Sequence, residues 1–190
     1  MGVYLVDVDA QDWRDEHEGG HGEIAAALDE ELRQRGLPAY EPLLEERSAP
    51  WFEEKLSPSM DGFVKLCRAH LTRAEEEFLC SWSVLVPIAI EEEIRLPIGS
   101  AYTDVTVVAG APRALALAQR LASAIALPPM LPAAYTNLGL TCWFLDGQAK
   151  ETAAARPGPW ADDLDAAFYV ALYLRAAQHS LRRGCPIVYS

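Results

Sequence analysis

The sequence predicts an α/β or α+β fold: one globular domain over residues 1–190, with a mixed β-sheet and about four or five helices packed against it. Strand-like and helix-like hydrophobic periods alternate along the chain, and turn and cap residues fall between them. A length of 190 residues is one that a single core can fill. The hydrophobic fraction of 51%, beside 23% charged residues, belongs to a folded chain and excludes wholesale disorder.

The elements follow in order. At 3–9, Val3, Leu5, Asp7 and Asp9 share one face and Tyr4, Val6 and Val8 the other, the period-two pattern of a strand. Residues 22–35 set Ile24, Leu28 and Leu32 in one stripe, with Glu23 in the first turn, Arg33 and Arg35 in the last and Gly36 as the stop. That is an amphipathic helix with its termini charged to suit the dipole. From 37 to 58, Pro38, Pro42, Pro50 and Pro58 break any long element, and Trp51 with Phe52 is expected to pin the segment to the core. Helices are expected at 61–71 and 72–79.

An apolar strand is expected at 83–90, continuing as a strand-like stretch over 93–98. Pro87 and Pro97 cannot donate to a ladder, so this ribbon belongs at a sheet edge or at a bulge. Another apolar strand covers 104–108 and leads through Gly110 and Pro112 into a helix to 126, closed by Pro128 and Pro129. A proline-rich loop follows at 127–137, then a buried strand at 138–145. Residues 162–183 make the best helix: Asp162, Asp163 and Asp165 suit its positive end, Arg182 and Arg183 its negative end, and Gly184 its cap. Residues 187–189 are expected to add a last strand.

Composition narrows the function classes. Cys67, Cys80, Cys142 and Cys185 contain no CxxC pair and read as reduced thiols, which argues against a zinc ribbon or disulfide framework. Strand-like sequence begins at Val3, and the longest apolar run, 84–90, is too short to span a bilayer, so a cytoplasmic location is expected. Net charge is −12, and it is one-sided: residues 1–100 hold 22 Asp and Glu against 9 Lys and Arg, and residues 101–190 hold 6 against 7. Such a field repels phosphate, which excludes nucleic acid and anionic membranes and favours a basic protein or cationic ligand.

Several constellations carry chemistry. Asp7 and Asp9, two apart at a strand end, point to the same side and suit a divalent cation such as magnesium. A hydrophobic strand ending in Asp-x-Asp resembles the first motif of the haloacid-dehalogenase-like phosphohydrolases over about ten residues; Gln11 stands where that family usually has Thr or Val. His17-Glu18-Gly19-Gly20-His21 matches the HExxH pattern of zinc metallopeptidases, in which two histidines four apart on a helix hold zinc and the glutamate activates water. Glu41 is the candidate third ligand, while Gly19, Gly20 and Gly22 disfavour the helix.

Glu92, within Glu91-Glu92-Glu93, would be a desolvated general base if the surrounding strand ran unbroken; a bulge or turn at the glutamates is the simpler expectation. On the C-terminal helix, Arg175 and His179 are four apart and suit an anion or a proton transfer, beside a Tyr169 and Tyr173 stripe. The leading functional expectation is a binding or regulatory protein that neutralises a basic partner, as immunity proteins and antitoxins do, with the 12–23 loop and Trp13 as the contact surface. The alternative is a metal-dependent hydrolase, zinc peptidase-like or magnesium-dependent, that uses Asp7, Asp9, His17, Glu18 and His21.

Overall fold

A computed structural model describes residues 2–17, 20–43, 51–99, 103–132 and 137–190. Its elements are β1 (Val3–Asp7), α1 (Ala10–Arg14), α2 (Gly22–Gln34), β2 (Glu53–Leu56), α3 (Asp61–His70), α4 (Arg73–Ser81), β3 (Val84–Val86), β4 (Ile94–Leu96), β5 (Thr106–Gly110), α5 (Ala111–Ala124), α6 (Gly139–Leu145), α7 (Gln148–Ala155), α8 (Leu164–Arg183) and β6 (Ile187–Tyr189). The strands form one six-stranded sheet in the order β2-β1-β6-β3-β5-β4. Only β3 and β5 pair in parallel; the other pairs are antiparallel, so the mixed sheet of an α/β fold is present.

The pleat divides the interior in two. Val84, Val86, Ile94, Leu96, Val108 and Val188 face one core with Ile24, Leu28 and Leu32 of α2 and Trp13 of α1. Leu5, Leu85, Ala109 and Ile187 face the other, which is filled by α3, α4, α5, α6 and α8. Successive residues such as Val84, Leu85 and Val86 change sides because strand side chains alternate. The second core is centred on α8, which packs against α3, α5 and α6 and also touches β3. Every residue from Ala166 to Tyr173 is buried, as the uncharged stretch of this helix leads one to expect.

The described residues contain eight α-helices, more than the four or five expected, because α1, α6 and α7 are too short to show a clear apolar period. The ribbon expected at 83–90 is shorter: β3 stops at Val86, immediately before Pro87, and lies inside the sheet between β6 and β5. The strand that follows it in sequence, β4, pairs with β5, ends immediately before Pro97 and is an edge strand. The expected strand at 138–145 is the helix α6. Phe52 is buried, but Trp51 is 63% exposed, so only one of that aromatic pair anchors its segment.

The reversal at 138–145 has a local cause. Glu54 of β2 is 1% exposed and accepts from the backbone N–H groups of Leu140 and Thr141, both at 2.8 Å, and from the Thr141 hydroxyl at 2.7 Å. A carboxylate beneath the first turn satisfies the amide donors that a helix start leaves open. Thr141 Oγ1 in turn accepts from Lys55 N at 3.0 Å, which ties α6 to the outer strand of the sheet.

Candidate functional site

Two regions gather chemistry-bearing groups. The first lies where the chain's two ends meet. Asp7 closes β1 opposite Ile187 of β6, and Val8 N donates to Pro186 O at 3.0 Å. Leu5 faces the α8 side of the sheet, and the alternation puts Asp7 on the same side. There, Nε2 of His179 and Oδ2 of Asp7 are 2.7 Å apart. His179 is 1% exposed, packs against the Phe52 ring at 5.4 Å, and has no hydrogen-bond partner at Nδ1.

Cys185 joins them because the chain reverses sharply after α8. Gly184 takes a left-handed φ of 63°, which glycine adopts without strain. Ser180 Oγ donates to Cys185 O at 2.7 Å, and Tyr40 OH donates to Gly184 O at 2.9 Å. Burial, with Cys185 nearby, pushes the Tyr40 phenol well above its ordinary range, so it is a neutral donor at this joint. One oxygen of Asp7, one nitrogen of His179 and Sγ of Cys185 lie within 4.8 Å of one another, the only such His, Cys, Asp or Glu cluster among the described residues.

The second region is the α1–α2 layer. The HExxH-like segment is not a helical pair: α1 ends at Arg14, α2 starts at Gly22, and His17 lies between them with His21 as the N-cap of α2. The glycines favour this break, and Glu18 lies outside the described residues. His17 is exposed and bonds Asp15 Oδ1 at 2.5 Å, an interaction that raises its pKa. His21 stacks on Trp13 at a centroid distance of 6.1 Å, and burial lowers its pKa. Asp9 caps α1, its Oδ1 accepting from Gln11 N at 2.9 Å and Asp12 N at 2.8 Å. Asp9, His17 and His21 therefore do not join Asp7 in a ligand cluster among the described residues. Glu41 pairs with Arg14 at 3.1 Å.

Other expected site residues are corrected by their surroundings. Trp13 is 1% exposed and meets Tyr40 edge-on at 5.9 Å, so it supports the layer from within and is not a contact residue; Ala10 and Trp13, three apart on α1, both turn inward. Glu92 is exposed in the bend between β3 and β4, where its carbonyl accepts from Arg35 at 3.4 Å; the turn at the glutamates removes the desolvation that a general base would need. Arg175 and His179 engage different described groups: Arg175 donates to Gln178 Oε1 at 3.1 Å and Leu131 O at 3.3 Å, whereas His179 meets Asp7. Tyr169 and Tyr173 are core residues whose hydroxyls bond Pro58 O at 2.7 Å and the Tyr189 hydroxyl at 2.8 Å.

The sheet also sorts charge. Segment 10–43, which supplies α1 and α2, holds nine Asp and Glu against three Arg, and 91–95 on the adjoining bend and strand adds three Glu against one Arg. Segments 61–81 and 111–183, which supply the helices of the other core, hold nine against ten Lys and Arg. Asp12, Glu16, Glu23, Glu91 and Glu92 are exposed and form no ion pair with another described residue. No family model, curated protein or solved structure matches the chain. No helix among the described residues is long and apolar enough to cross a membrane.

Proposed function

We propose that the protein is a binding or regulatory protein whose acidic α1–α2 layer, extended by the Glu91–Glu93 bend, holds a basic protein partner in the cytoplasm. The observation that carries this reading is the sorting of charge by the sheet: an excess of eight acids lies in the 10–43 and 91–95 segments, while the helices of the opposite core are balanced to within one charge. A one-signed face steers a complementary partner and repels nucleic acid. Buried Trp13 and Tyr40, with half-buried His21 stacked on Trp13, support the reading by giving the acidic layer a firm underside.

The test is capture from cell extract at low salt with the wild-type chain and with a variant carrying Asp12→Asn, Glu16→Gln, Glu23→Gln, Glu91→Gln and Glu92→Gln. The wild type is expected to retain a basic protein that high salt releases, and the variant to lose it. Equal retention by the variant contradicts the assignment of this face.

A further inference from the structure

We propose that Asp7, His179 and Cys185 form a binding site for one divalent transition-metal ion of the zinc class. Their three ligand atoms lie within 4.8 Å of one another. Tetrahedral zinc holds oxygen, nitrogen and sulfur ligands at about 2.0–2.3 Å, which places the ligand atoms roughly 3.3–3.7 Å apart. The ligand atoms therefore have to shift by up to about 1 Å to reach that spacing. A thiolate, an imidazole and a carboxylate form a borderline-soft donor set that suits zinc and is too soft for magnesium or calcium.

A second observation concerns His179 itself. The ring is buried and its Nε2 faces Asp7 Oδ2 at 2.7 Å, so an ion held by both atoms takes the place of their hydrogen bond, with the neutral ring carrying its proton on Nδ1. Binding releases the Cys185 thiol proton to solvent, and the thiolate and the Asp7 carboxylate together neutralise the dication. The buried site then carries no net charge, which removes the main cost of placing an ion there. Asp7, 16% exposed at its side chain, is the open side, through which water reaches a fourth position.

The scaffold favours a defined geometry. Asp7 is held in strand register, His179 sits on the longest helix, and Cys185 is fixed by the Gly184 turn and the Ser180 hydrogen bond. A metal here would lock β1 to the C-terminal end of α8. The acidic-face reading does not bear on this site, and either can fail alone.

Chelator-stripped protein titrated with cobalt(II) tests the proposal. One equivalent should bind, with a thiolate-to-cobalt charge-transfer band and intense tetrahedral d–d bands that zinc displaces. Cys185→Ser should lose the charge-transfer band, and Asp7→Asn and His179→Gln, which remove ligands, should weaken binding by more than the roughly 10–100-fold that loss of a ligand's hydrogen-bond partner costs. Cys67→Ser and the His17→Ala, His21→Ala double variant should behave as wild type. Absence of stoichiometric binding, or an unchanged spectrum in Cys185→Ser, overturns the proposal. If Cys185→Ser does not fold, wild-type affinity in Asp7→Asn overturns it equally.

Discussion

Replacing Glu54 with alanine should destabilise the protein by about 3–4 kcal/mol and loosen α6 before the rest of the fold. The side chain accepts three hydrogen bonds, two of them from the amides of Leu140 and Thr141, and it is buried. Each buried donor left without a partner costs about 1–3 kcal/mol. Removing the carboxylate also removes its own desolvation cost, which keeps the sum below the top of that range. For a chain of this size the loss corresponds to a fall in Tm of roughly 10 °C. Glu54→Gln keeps one acceptor oxygen but turns an NH2 toward a donor, and should cost about 2 kcal/mol. Urea unfolding gives the magnitude, and hydrogen exchange at the Leu140 and Thr141 amides gives the location. An alanine variant within about 0.5 kcal/mol of wild type, the range of an ordinary surface change, refutes the role assigned to this carboxylate.

Two pH effects and one packing effect follow from the same geometry. Burial raises the Glu54 pKa above its ordinary value of 4.5, so stability is highest below that pH and declines as pH rises through the folded value, leaving above it the three accepted hydrogen bonds net of the cost of burying the charge; urea midpoints of Glu54→Gln should lack this slope. Burial lowers His21 below its ordinary 6.5, so the unfolded chain takes up the proton first. Stability from His21 is therefore complete above about pH 6.5 and falls as pH drops through the lower folded value. A His21→Phe variant, which keeps a ring against Trp13, should lose that pH dependence between about pH 7.5 and about pH 5 in urea melts. Gly110→Ala places a Cβ 2.7 Å from Ile88 O and 2.9 Å from Ile90 N, both backbone atoms, and thermal unfolding should show a loss of about 2–3 kcal/mol.

The parts legible in the sequence are those whose causes are local. The alternating residues of β1, the Ile24–Leu28–Leu32 stripe of α2 and the acid-start, Gly-end pattern of α8 each carry their own period and caps, and each element is present. Residues 138–145 show a short apolar run that strand and helix share; what selects the helix is Glu54, some 86 positions away from Leu140. Asp7 and His179 stood out separately, yet their pairing spans 172 positions, and no linear spacing announces it. Cys185 read as a plain reduced thiol because its neighbours are set by the Gly184 turn. The HExxH spacing misled in the opposite sense: the pattern is linear, but its meaning depends on one continuous helix, which the glycines interrupt.

The most direct measurement of the central claim is the affinity for the captured basic partner of two five-site variants at low salt. One neutralises Asp12, Glu16, Glu23, Glu91 and Glu92; the other neutralises Asp61, Asp146, Glu151, Asp162 and Asp165, which are exposed and belong to the opposite layer and its connecting turns. At about 0.2–1 kcal/mol for each exposed charge, the five changes of the first set should weaken binding roughly fivefold to several thousandfold, and the second by less than about threefold. Equal losses from the two sets, or a larger loss from the second, would contradict the assignment of the acidic α1–α2 layer as the binding face.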